Sequence, residues 1–173
     1  MGQLYPGEDL GQATFGTLGD MNYWLLKTEP DAFSIEDLKR DGATSWEGVR
    51  NYQARNFLRE MKSGDKVLIH HSSTAVPAVV GVGEIAGEAV PDPTQFDKKS
   101  DYYDPSSKRE APRWTTRKVL YRETFKHPVT LSFIKAHPEL KGMVVAQRGS
   151  RLSVQPVGKG HFDLMVKLGK KPH

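Results

Sequence analysis

The chain has 173 residues, 37% of them hydrophobic and 27% charged, a composition for one compact domain with a single apolar core. It contains no cysteine, which excludes disulfide scaffolds, thiolate metal sites and cysteine nucleophiles together. The formal charge is +4, and Glu8, Asp9 and Asp20 give residues 1–20 a charge of −3, so the remainder carries +7. No apolar run is long enough for a membrane span, and no basic n-region with an apolar core opens the chain. A cytoplasmic protein is expected, or a nuclear one if the source is eukaryotic.

Residues 1–20 are glycine-rich and aperiodic and read as an unstructured leader or an upstream-start extension. Residues 21–173 are expected to form the domain. Tyr23–Lys27 is a short apolar run suited to a buried strand. Ser34 followed by Asp37 is a capping-box pattern opening a short helix that Asp41-Gly42 stops. Asn51 caps a second helix whose Ala54, Phe57, Leu58 and Met61 fall on one stripe. Lys66–His70 reads as a strand, and so does Val79–Val90, bent or closely approached at its glycines. Pro91–Pro112 is a long polar connection. Arg117–Thr124 alternates as a strand, Thr130 caps a helix over Leu131–Ala136, and Arg151–Gln155 is a short mixed segment. His161–Leu168 looks like a final amphipathic helix. Short strands with few helices argue for an α+β fold built on a small, mostly antiparallel barrel.

Several chemistries are excluded by pattern. Neither a dinucleotide fingerprint nor a P-loop occurs. His70 and His71 are adjacent on a strand and point to opposite faces, poor geometry for a metal, so no metal and no cofactor is expected. Seven Lys or Arg against two Glu between Lys108 and Lys126 suit a polyanion, or equally a solvated strand face. The densest polar cluster is Trp46–Asn56, at a strand–helix junction. There free N–H groups suit a phosphate or base edge, Asn and Gln pair with bases, and Trp or Tyr stack on them. The alternative is that Trp46 and Tyr52 are core and Asn51 only a cap.

Tyr23–Pro30, Trp46–Asn56 and His70-His71-Ser72 resemble the EVE domain family. The likeness continues through Pro91–Asp97, Tyr103-Asp104-Pro105, Pro112-Arg113-Trp114 and Arg151–Pro156, in the family's order across residues 22–168. His70 departs from the Tyr expected there. The resemblance implies a PUA-like fold, related to the YTH and SRA readers of methylated bases, and a non-catalytic reader of a modified base in DNA or RNA. The base is expected to be flipped into a pocket drawn from Trp24, Trp46, Gly48, Val49, Asn51, Tyr52, His71, Ser72, Trp114, Ser153 and Gln155. Arg50, Arg55, Arg113, Arg148 and Arg151 are the expected phosphate contacts. The partner is then nucleic acid, with no membrane, and the chain a monomer. Two alternatives stay open: a protein-interaction module, or a hydrolase akin to ASCH domains using Lys27 with Glu29 or His71.

Overall fold

In the computed structural model, residues 21–173 are described, and the leader expected over residues 1–20 lies outside them. Six strands and four α-helices follow one another as β1 (Tyr23–Thr28), α1 (Ile35–Asp41), β2 (Ala43–Ser45), α2 (Tyr52–Glu60), β3 (Lys66–His71), β4 (Ala78–Pro91), β5 (Thr115–Thr130), α3 (Leu131–Ala136), β6 (Val154–Val157) and α4 (Lys159–Gly169). The strands form one sheet in the order β2-β5-β4-β3-β1-β6. Only the β1–β3 pair is parallel.

The central strands read as unbroken apolar runs because both of their faces are covered. On β1, Trp24 and Leu26 enter one core while Leu25 enters the other; on β3, Val67 and Ile69 part from Leu68 in the same way. The first core is closed by Ile35 and Leu38 of α1 and Ala54 and Leu58 of α2. The second is closed by Ile134 of α3 and Phe162 and Met165 of α4.

Local signals place the helices as expected. The Ser34 hydroxyl accepts from Asp37 N (3.1 Å) and Asp37 Oδ2 from Ser34 N (2.9 Å), completing the capping box. The side chains of Asn51 and Thr130 accept from Ala54 N (2.9 Å) and Phe133 N (3.1 Å). The bend in β4 is real. A Cβ at Gly81 would run into the Glu123 carbonyl of β5, and the β4–β5 register breaks between Val79 and Gly81.

One expectation is met only as far as a mixed α+β fold, and two are corrected. First, the described ladders do not close a barrel: β2 and β6 end an open six-stranded sheet. Second, β5 runs from Thr115 to Thr130, well beyond Arg117–Thr124. It tolerates Pro128 because β2 pairs only with Lys118–Leu120, so the missing N–H interrupts no second ladder. Third, the basic stretch is not one phosphate-facing stripe. Arg117 is buried, donating to the carbonyls of Leu58 (3.1 Å), Met61 (2.6 Å) and Gly87 (2.6 Å), and Arg122 pairs with Glu84 (3.1 Å). No helix among the described residues is long and apolar enough to cross a membrane.

Candidate nucleic-acid interface

A cavity of about 890 Å³ opens where the two ends of the sheet approach each other. Thr44 and Ser45 of β2 line it from one end of the sheet, and Ser150, Arg151 and Ser153, just before β6, from the other. Thr28, at the carboxyl end of β1, and Ser72, just after β3, also line it. The sheet is therefore curled, and the cavity fills the seam between its unpaired edges. The size falls within the roughly 300–1,000 Å³ usual for small-ligand sites.

One wall is the segment Trp46–Asn51, whose conformation is fixed by a buried carboxylate. Asp92 is fully buried and accepts from Gly48 N (2.8 Å), Arg50 Nη1 (3.0 Å), and the backbone N–H (2.8 Å) and hydroxyl (2.6 Å) of Thr94. Burial pushes its pKa up, but the bonds from Thr94, Gly48 and Arg50 outweigh that and hold it below the usual carboxylate range. Gly48 has φ +84°, and a Cβ there would lie 2.7 Å from the Tyr102 ring. The absent side chain is what lets Tyr102 lie on the cavity wall.

Arg50 locks the same arrangement. Nε and Nη2 donate to the Tyr102 carbonyl (3.0 and 2.7 Å), Nη1 to the Val49 carbonyl and Asp92, and Nη2 to the Thr94 hydroxyl (2.9 Å). Those bonds use all five N–H groups of the guanidinium. Its plane also sits 5.6 Å from the Tyr102 ring centroid and 5.4 Å from that of Trp114. Trp114 stacks on Tyr52 at 4.8 Å, and Arg55 caps Tyr52 at 4.8 Å. A column of cations and rings, Arg55, Tyr52, Trp114, Arg50 and Tyr102, thus runs from the surface to the cavity.

The structure brings together Trp46, Gly48, Val49, Asn51, Ser72, Ser153, Arg50 and Arg151 around the cavity. The other expected site residues stand elsewhere. Trp24 is core, its indole N–H donating to buried Asp65 (2.9 Å). Trp114 is buried, donating to Asp104 (2.7 Å), and Tyr52 covers it from outside the cavity. His71 Nε2 accepts from Ile35 N (3.1 Å), so it serves the start of α1, and burial lowers its pKa. Gln155 is buried and donates to the Leu152 carbonyl (2.7 Å), bracing the Ser150–Ser153 edge.

Among the cations, Arg50 has no N–H left for a phosphate. Arg55 donates to the Arg113 carbonyl (3.0 Å) and to Asn56 (3.1 Å). Arg113 and Arg148 are exposed and lie outside the cavity lining. Arg151 lines it, exposed and with no hydrogen-bond or ion-pair partner among the described residues. Lys27 lines it too, donating to the Ser150 carbonyl (3.3 Å); burial, then the charge of Lys135, lowers its pKa.

Sequence reasoning missed Tyr102, Glu47, Phe33 and the rim residues Thr44, Ser45, Ser73 and Ser150. Phe33 meets Trp46 edge-on at 6.4 Å. Tyr102 lies in the polar connection, where no local pattern marks it, whereas Glu47 lies inside the cluster already singled out. No group of His, Asp or Glu among the described residues is placed to hold a metal ion.

Comparison with known proteins matches residues 22–168 to the EVE domain. Thymocyte nuclear protein 1 of Gallus gallus is 44% identical over 171 residues, covering 87% of this chain and 70% of that protein. The crystal structure of human THYN1 protein in complex with 5-methylcytosine containing DNA superposes with a TM-score of 0.83 at 40% identity, over 88% of this chain and 99% of that one. The YTH domain of Zygosaccharomyces rouxii MRB1 protein, at 15% identity and TM-score 0.50, covers 90% of this chain and 91% of its own, a likeness of fold alone.

Proposed function

Because the chain belongs to the EVE domain family, we propose that it reads a modified base in nucleic acid, without catalysis, and that cytosine methylated at C5 in DNA is its first ligand. The observation that carries this reading is the seam cavity, large enough for one base and walled by Trp46, Phe33 and Tyr102 with serine and threonine hydroxyls on its rim. The human relative's complex with 5-methylcytosine containing DNA supports the choice of ligand. One nucleotide leaves its stack and enters the cavity, with its base against the aromatic wall. Asn51, Ser72 and Ser153 offer hydrogen bonds to it, and Lys27 and Arg151 face its phosphates. Arg148, Arg113 and Arg55 extend the basic surface outward. We read the curled sheet as a PUA-like barrel left open at this seam, and residues 21–173 as one monomeric domain, nuclear in a eukaryotic cell.

Magnitudes decide how such a pocket discriminates. Stacking contributes roughly 1–3 kcal/mol per base, shared by all bases. Burying one methyl adds only about 0.8 kcal/mol, roughly fourfold in affinity. A larger preference requires the unmodified base to leave a void or an unpaired group.

The test is anisotropy titration of matched DNA and RNA strands with and without 5-methylcytosine, 5-hydroxymethylcytosine or N6-methyladenine. Ser45→Trp, which fills the cavity from an exposed strand position, is the control variant. Modification-dependent binding that this variant loses supports the reading. Equal binding of every strand would reduce the protein to a basic surface, and no binding at low salt would favour a protein partner.

A further inference from the structure

Glu47 sits in the cavity wall between two fixed residues: Trp46 in the core and Gly48 tied to Asp92. Its own carboxylate has no hydrogen bond or ion pair among the described residues. The cation whose field reaches it is Arg50, and every N–H of that guanidinium is engaged elsewhere. Arg151 belongs to the opposite edge of the seam, and Lys27, on β1 beside that edge, is turned to the Ser150 carbonyl. The other lining acid, Glu29, also stands on the β1 side. The β1 side therefore carries Lys27, Arg151 and the acid Glu29, and the other side the Glu47 carboxylate beside the aromatic wall.

A free carboxylate accepts hydrogen bonds only and repels phosphate. What it can receive from a nucleotide is an N–H of the base. A base held by its sugar on one side and stacked on the aromatic wall can turn its exocyclic substituent to the acid. At that position cytosine and adenine present an amine and thymine and uracil a carbonyl oxygen, so the acid discriminates when it meets the exocyclic group rather than the neighbouring N3–H of thymine or uracil.

We propose that Glu47 reads the amine-bearing edge of the inserted base, so that the cavity takes cytosine or adenine type bases and rejects thymine and uracil. The proposal rests on the reader function above. Burial, then the negative charge of Asp92, raises the Glu47 pKa, and Arg50 offsets this only in part. A donated N–H relieves that cost, whereas a carbonyl oxygen adds to it.

The decisive probes are two short labelled duplexes carrying 5-methylcytosine or thymine opposite an abasic site. The two bases share the methyl group, neither is paired, and they differ only along the edge in question. The wild-type chain is expected to favour 5-methylcytosine by roughly tenfold to a hundredfold, the range of a hydrogen bond to a charged group. Glu47→Gln keeps the shape, but its amide can turn to meet either edge, so the ratio is expected to fall to about one. Glu47→Ala is expected to weaken 5-methylcytosine binding and to strengthen thymine binding, because the repulsion between the carboxylate and the thymine carbonyl is gone. A wild-type ratio that survives Glu47→Gln would overturn the assignment while leaving the reader function standing. Failure of the wild-type chain to bind either duplex would overturn the reader function, and the assignment with it.

Discussion

Arg50 invites the role of a phosphate clamp, and its geometry assigns it another. Its side chain is 22% exposed against 0% for Asp92, and all of its donors end on protein acceptors. Arg50→Ala leaves Asp92 with Gly48 and Thr94 alone and frees the Tyr102 carbonyl. Removing one partner of a buried pair costs about 3–5 kcal/mol. Solvent reaches this guanidinium, so the expected loss is near the lower end, about 3 kcal/mol. Arg50→Lys keeps the charge but loses the planar fork, and about 1–2 kcal/mol is expected. The assay is urea unfolding at neutral pH, with the midpoint moving and the slope constant. Repeating it in an Asp92→Asn background should recover part of the loss, which measures the coupling. Because Asp92 ionises below the usual carboxylate range in the fold, the pair's contribution is fully present above the unfolded carboxylate pKa of about 4. It fades as pH falls through the lower folded value. A loss under about 1 kcal/mol, together with abolished nucleic-acid binding, would refute the structural role and restore the phosphate role.

Gly48→Ala forces a Cβ into the Tyr102 ring at a positive φ, so a lower melting temperature is expected, with loss of base selectivity in the anisotropy assay. Trp24→Phe leaves the Asp65 carboxylate one donor short in the core; about 1–3 kcal/mol of stability should go while base selectivity remains. His70 is 1% exposed, neither ring nitrogen has a partner among the described residues, and burial, then Lys27 and His71, lowers its pKa to about 4. Its contribution is whole above the unfolded pKa of about 6.5 and is lost as pH falls towards 4, by roughly 3 kcal/mol in all. His70→Leu should flatten that stretch of the stability profile measured by urea unfolding. Arg151→Ala should weaken binding to every strand and lower the slope of log affinity against log salt by about 0.9.

Much of the fold was legible because it is written locally. The apolar runs of β1 and β3, the capping box at Ser34 and the caps at Asn51 and Thr130 each depend on residues within a few positions of one another. What failed depends on partners far along the chain. β2 has three residues and no pattern of its own; it exists because β5 offers Lys118–Leu120 as an edge. Whether Pro128 breaks β5 turns on which neighbours that strand has there, and no window of sequence contains them.

The same division runs through the site. Trp24 and Trp46 are both buried aromatic residues of conspicuous motifs, but Trp46 also lines the cavity, whereas Asp65, just before β3, holds the Trp24 indole wholly in the core. Tyr102 becomes a cavity wall only because Gly48 lacks a side chain and Arg50 grips the Tyr102 carbonyl. The cluster Trp46–Asn56 is dense in polar residues because it does two jobs at once. Gly48 and Arg50 bind the chain to Asp92 and Tyr102, while Glu47 and Asn51 face the cavity. Residue type does not tell the two jobs apart, since Arg50 and Arg151 are the same side chain. Occupied donors do: among the described residues all five of Arg50 are engaged and none of Arg151, so the phosphate is expected at the seam's far edge, across the cavity from Glu47.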